Sequence, residues 1–270
     1  ETRMRNEPIV EITQIKGTSE THPRLSPEDE WANFEILSTR KGNVSQYSLL
    51  SGSYVREALV NGLALRSEGR GNPFAVGFIG SSDTHDGAFT FDESNYFGSS
   101  PLSSSPVSRG SVPLTGPMIS MQADLRASGI ESSQEENVTY GNLRSTLFSS
   151  SGLAAVWSEE NTRDSLFAAL KRKETYATSG TRIKLRFFSG YKITSLNLND
   201  PDLIEKAYAA GVPMGGDLFS EGTTSPGFLV FAQQDTRGAP LQRIQIIKGW
   251  YDSKLSKETK EKVARGLPLL

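Results

Sequence analysis

Across 270 residues, 29 basic and 31 acidic side chains leave a formal charge of −2, with two histidines and no cysteine. Disulfides and thiolate metal sites are thereby excluded, and without a basic stripe the chain lacks the electrostatic footprint of a nucleic-acid binder. The length suits one large or two modest domains, and no apolar run approaches the roughly 18 residues of a membrane span. A cysteine-free chain fits the cytoplasm or an exported bacterial protein equally. Residues 1–5 carry no signal-peptide pattern, so the sequence assigns no localisation.

The first predicted element is a strand over residues 9–15, with Glu11 inside an apolar run. A carboxylate there is paired, hydrogen-bonded or metal-bound if it is buried; otherwise it lies on an exposed strand face. Glu20 and His22 follow in a loop before Pro23, with acid-x-His spacing that suits either metal ligands or solvent. A helix is predicted near residues 53–65, where Val55, Leu59 and Leu63 recur four apart and form an apolar stripe. Asn61-Gly62 sits near its C-terminal end, where a turn is expected. A second strand over residues 75–79 completes a strand–helix–strand unit of βαβ length.

That strand delivers Gly80-Ser81-Ser82-Asp83-Thr84-His85-Asp86 to its C-terminal end. Side chains i and i+2 of a strand share a face, so Asp83 and His85 can reach one point. An Asp oxygen with a His nitrogen is half of a divalent-metal site. The alternative is an aspartate capping the next turn beside a surface histidine. Residues 86–151 are then a long excursion with little periodicity, including the low-complexity run 99–106. Such excursions are mobile loops or lids over sites.

A well-marked helix is predicted over residues 162–173. Asn161 or Thr162 caps it, Asp164 sits in its first turn, and Lys171, Arg172 and Lys173 crowd its last turn. Those charges complement the helix dipole. Leu166, Phe167 and Leu170 form its apolar face; Glu159, Glu160 and Arg163 beside its start read as capping or dipole residues. The alternation over residues 183–187 reads as a half-buried antiparallel strand. Strands over 228–232 and 243–247 complete a small β-sandwich-like region, and Val212–Asp217 reads as a turn between strands. Arg40-Lys41 and residues 257–262 read as solvated charge clusters, and the triplets at Asn43 and Asn137 fit the glycosylation pattern.

Four stretches, RNEPIVEITQIKGTSETHPRLSPEDEWANFE, GNPFAVGFIGSSDTHDG, GLAAVWSEENTRDSLFAALKRKETYATSGTRIKLRFF and LQRIQIIKGW, resemble consecutive blocks of the family called domain of unknown function 3604. The resemblance implies membership of the PHP (polymerase and histidinol phosphatase) superfamily, an α/β class. It implies a distorted β/α barrel with a metal cluster at the C-terminal ends of its strands. Asp83 and His85 match the superfamily's D-x-H metal motif. Glu20 and His22 match the family's S-E-T-H-P block, and Glu11 its V-E-I block. The superfamily's first motif, H-x-H, has no counterpart before Glu11. The expected organisation is therefore the C-terminal part of a PHP-like barrel over residues 1–180, with a long insert at about 86–151. A truncated β-rich appendage over 181–270 would follow.

Two functions are compatible with this reading. One is a metal-dependent hydrolase of phosphoester, ester or carbamate bonds. Asp83, His85, His22 and Glu11 would hold Zn²⁺, Mn²⁺ or Fe²⁺, and Glu20 would serve the attacking water. As a fragment, such a chain is expected to be inactive. The other is a non-catalytic remnant or binding module that keeps part of the metal site. The partners expected are a small-molecule substrate, no nucleic acid, no membrane, and further copies of the chain through open sheet edges.

Overall fold

The computed structural model describes residues 2–37, 39–40, 43–85, 87, 92, 94, 112–117, 130–135, 138–143, 152–220, 222–251 and 260–264. They divide into two compact units. The first comprises residues 1–11, 59–79 and 154–270, and the second residues 12–58 and 80–153. Most of the insert, including the serine-proline run at 99–106 and Ser149–Ser151, lies outside the described residues, as do Lys41, Asp86 and Asn137.

The chain opens with helix α1 (Thr2–Asn6) and strand β1 (Ile9–Gln14), which turns back through β2 (Gly17–Thr18). Helix α2 (Val55–Ser67) and strand β5 (Gly77–Gly80) follow the short hairpin β3 (Thr39–Arg40) and β4 (Asn43–Tyr47). The Pro8 carbonyl accepts from the Gly77 amide at 2.8 Å, and the Thr13 carbonyl from the Ser81 amide at 3.0 Å. These bonds advance along both strands together, so β1 and β5 run parallel and α2 lies between them in the chain, as a βαβ unit requires. The sheet order is β2-β1-β5.

Helix α2 corrects one expectation. Asn61-Gly62 is not at a turn, because the helix continues to Ser67 and Gly62 is buried in it. A Cβ on Gly62 would lie 2.0 Å from Asn72 Oδ1, an atom that accepts from the Phe74 amide at 2.9 Å. The glycine is there for close approach of the chain after the helix, not for a turn.

In the second unit, β6 (Ile130–Glu135) and β7 (Val138–Leu143) pair as a continuous antiparallel hairpin. The insert is thus less irregular than its sequence implies. These strands are largely polar, so they carry no alternating apolar signal.

The first unit contains β8 (Leu153–Val156), α3 (Arg163–Lys171) and β9 (Thr175–Thr178). Thr162 caps α3 as expected, accepting from the Ser165 amide at 3.4 Å. The helix ends by a Schellman arrangement: the Glu174 amide bonds the Ala169 carbonyl and the Lys173 amide the Leu170 carbonyl, with Lys173 at φ 65°.

Beyond it lie β10 (Lys184–Gly190), a 3-10 turn (Ile193–Ser195), α4 (Leu203–Ala210), β11 (Val212–Pro213) and β12 (Gly227–Gln233). The three strands form an antiparallel sheet in the order β11-β10-β12. Its core is Phe188, Ile193 and Ala207, with Leu196, Ile204 and Leu229 packed against them. Tyr208 meets Phe188 edge-on, with ring centroids 5.0 Å apart.

The β-rich expectation for residues 181–250 overlooked α4. Leu203, Ile204 and Ala207 give it a one-sided apolar face, the signal that was available. The last predicted strand lies three residues later than expected: β13 (Ile246–Trp250) pairs with β14 (Lys260–Ala264), not with β10 or β12. Among the described residues the sheets have two or three strands and none closes on itself.

Candidate functional site

Asp83 and His85 lie just past β5, not within it. Asp83 adopts φ 50°, so the i, i+2 geometry of an extended strand does not apply to them. Their side chains nevertheless meet. His85 Nε2 lies 3.8 Å from Asp83 Oδ1, with the histidine side chain 60% exposed and the aspartate 22%. Aspartate tolerates the left-handed region better than most residues, which makes the fold of this turn compatible with a carboxylate there. Ser82 and Thr84 brace it, their hydroxyls 3.3 Å apart and the Thr84 amide donating to Ser82 Oγ at 3.4 Å. Beneath the turn the backbone is tightly packed. The Gly152 amide donates to the Ser81 carbonyl at 2.8 Å, and a Cβ on Gly152 would come within 2.5 Å of the Thr13 carbonyl oxygen.

The donor pair suits a metal ion. Metal bonds of about 2 Å to each atom could meet across the 3.8 Å between them. Among the described residues, however, no group of three or more His, Cys, Asp or Glu side chains is placed to hold a metal.

Glu20 and His22 occupy the loop after β2, and the start of α2 holds that loop. The Val55 amide donates to the Ser19 carbonyl at 3.0 Å and the Arg56 amide to the Glu20 carbonyl at 3.1 Å. The Arg56 guanidinium reaches Glu20 Oε1 through Nε at 2.9 Å and Nη2 at 2.6 Å. Nη2 also lies 2.8 Å from Asp29 Oδ2, in a pair whose side chains are 11% and 1% exposed. Asp29 Oδ1 accepts from the Trp31 amide at 3.0 Å. Glu20 itself is 43% exposed, so its carboxylate faces water on one side and the guanidinium on the other.

His22 packs its ring on Tyr54 at 5.7 Å, and burial raises the phenol pKa of Tyr54. Nδ1 of His22 accepts from the Arg24 amide at 3.1 Å. An amide can only donate, so Nδ1 carries the lone pair and the neutral ring holds its proton on Nε2. Metal ligation by either nitrogen of the neutral His22 ring therefore requires that the Arg24 bond be released. Glu11 is exposed on β1, so the burial that singled it out is absent.

Sequence reasoning missed Arg56 and Asp29. One signal was available for Arg56: a cation in the first turn of a helix opposes the macrodipole and calls for nearby acids. Asp29 had none, since its burial follows from the loop's path.

A second polar cluster lies in the first unit. Glu174, with its side chain 3% exposed, accepts from Arg172 Nε at 2.9 Å and from the Tyr208 hydroxyl. Arg172 also pairs with the exposed Glu159 at 2.9 Å, and Glu159 accepts from the Ser165 hydroxyl at 3.2 Å. Burial raises the Tyr208 pKa, and its bond to Glu174 raises it further. Arg186 lies 3.6 Å from the Trp157 ring centroid and donates to the Tyr208 hydroxyl at 2.9 Å. Every member bonds another part of the fold, as a structural network does.

A family model described as protein of unknown function (DUF3604) matches residues 1–265. No curated protein and no solved structure matches the chain. Among the described residues no helix is long and apolar enough to cross a membrane.

Proposed function

This chain belongs to the DUF3604 family, and from that premise we propose that it is part of a metal-dependent hydrolase of the PHP superfamily, built on part of a distorted β/α barrel. The observation that carries the reading is the Asp83–His85 pair, 3.8 Å apart at the end of a parallel strand. The residues fit a divalent cation as a two-donor half-site; to become a third donor, His22, of the same unit, would have to release its Arg24 bond and move towards the pair. Zn²⁺, Mn²⁺ or Fe²⁺ bound there would lower the pKa of a water to about 7 and supply hydroxide for attack on a phosphoester, ester or carbamate. Glu20, held by Arg56 on one side and exposed on the other, would serve to orient that water. His85, mostly exposed, leaves room for a substrate to approach the pair.

The test is calorimetric titration of Mn²⁺ and Zn²⁺ into the wild type and into Asp83→Asn/His85→Gln. The wild type is expected to bind, and the double variant to bind at least tenfold more weakly. Equal binding by both would remove the pair from the site.

A second reading, a binding module without catalysis, is favoured by one observation: Glu20 and His22 Nδ1 are both engaged by protein groups. Binding of metal without hydrolysis of p-nitrophenyl phosphate or p-nitrophenyl acetate would support it. Metal-dependent turnover of either compound would refute it.

A further inference from the structure

We infer that Arg56 is a positioning residue that fixes Glu20 and the loop carrying His22. This rests on the reading of Glu20, His22, Asp83 and His85 as parts of one hydrolytic site. Arg56 stands where local physics disfavours it. It is in the first turn of α2, where the helix dipole repels a cation. Its side chain is 11% exposed, and so has given up most of its rotamer freedom. Both penalties are offset by two carboxylates distant in sequence, Glu20 and Asp29.

The grip is wider than one side chain. Residues 54, 55 and 56 hold residues 22, 19 and 20 by a ring contact, an amide bond, and an amide bond with a guanidinium. Loop carbonyls thereby satisfy amides that the start of a helix leaves without partners. Two nitrogens of the planar guanidinium converge on one oxygen of Glu20, Oε1, and one of them also meets Asp29, so the arginine fixes where that oxygen sits. A lysine ammonium lacks that fork and cannot reproduce the geometry. Groups behind a site orient the groups that act in it, and their loss weakens metal binding ten- to a hundredfold.

The experiment uses the full chain with Arg56→Lys, which keeps the charge, Arg56→Gln, and, as the control, Arg172→Lys in the first-unit cluster. Two quantities are read. The first is the shift of the His22 ring protons in the metal-free chain, which the Tyr54 ring displaces; with two histidines in the sequence, assignment is direct. The second is Mn²⁺ affinity by calorimetry. Both Arg56 variants are expected to move the His22 shifts and to weaken Mn²⁺ binding at least tenfold, with Arg172→Lys changing neither. Unchanged values in Arg56→Lys overturn the inference while the metal reading stands. The same losses in Arg172→Lys also overturn it, since they would then report a general loss of stability. If the wild type binds no Mn²⁺, the metal reading fails, and the His22 shifts in Arg56→Lys alone decide whether the arginine positions the loop.

Discussion

Each unit of the molecule contains an arginine that bridges one buried and one exposed carboxylate. In the first unit Arg172 joins Glu174, 3% exposed, to Glu159, 69% exposed. In the second Arg56 joins Asp29, 1% exposed, to Glu20, 43% exposed. The difference lies in how far each arginine is explained by its own helix. Arg172 is the C-cap of α3, where a cation is favoured by the dipole, and its partners are close in the chain. Arg56 is at the wrong end of α2 for its charge, and its partners come from a loop far back in the sequence. Local and tertiary preferences agree at Arg172 and conflict at Arg56. Such conflicts concentrate at functional sites, where another requirement overrides the local one.

The largest effect that can break this comparison is removal of Arg172. Arg172→Met leaves Glu174 buried without its countercharge, and the expected loss of stability is about 3–5 kcal/mol. Urea unfolding followed by tryptophan fluorescence measures it, since Trp157 is part of the same network. A loss under about 1 kcal/mol would show that the Tyr208 hydroxyl alone satisfies Glu174. The first-unit cluster would then be no more structural than the second.

This comparison also marks what the sequence could show. The helix at 163–171 was legible from its cap and dipole charges, although Phe167, read as part of its apolar face, is exposed and Ala169 is its buried residue. So was the presence of β10 and its antiparallel pairing, although its most buried side chain, Phe188, lies just past the alternating run 183–187. The Asp83–His85 meeting was legible as a result but not as a mechanism. The motif predicted two side chains on one strand face, whereas a left-handed aspartate past the strand end brings them together. The Arg56 cluster was illegible because it depends on a loop closing onto a helix start, and long-range pairing of this kind leaves no periodic trace. Helix α4 was lost for a different reason. Eight residues between two strands were absorbed into a region read as all β.

An intermediate effect separates backbone from chemistry at Asp83. Asp83→Ala places a Cβ-bearing residue without a local polar partner at φ 50°, and is expected to lower stability by about 1–2 kcal/mol. Asp83→Asn retains a side chain suited to that region and should be nearly neutral in stability. Both remove the carboxylate, so both should weaken Mn²⁺ binding alike. Thermal melts and calorimetry on the two variants sharpen the contrast with Arg172, whose loss is felt in stability. Equal stability for Ala and Asn would mean that the left-handed turn imposes no strain.

The smallest expected effect concerns the exposed arm of the first-unit cluster. The carboxyl of Glu159 is held below its usual pKa, first by its own backbone amide and, against an opposing desolvation, by the Arg172 guanidinium and the Ser165 hydroxyl. A carboxyl with a lowered pKa in the folded chain stabilises it above the unfolded pKa of about 4.3, and that contribution disappears as pH falls through the folded value. Glu159→Gln removes the titration. The melting temperature of the wild type should therefore exceed that of the variant by a constant, small margin from about pH 5 to 7, and the two should converge at lower pH. Because the carboxylate is on the surface, salt should shrink the margin as well. Melts at several pH values and two ionic strengths test this directly. A margin that widens on acidification would mean that Glu159 is better bound when protonated, which neither the amide nor the guanidinium beside it permits. It would also end the comparison, because Glu159 would no longer be an anion tethered by its arginine as Glu20 is by Arg56.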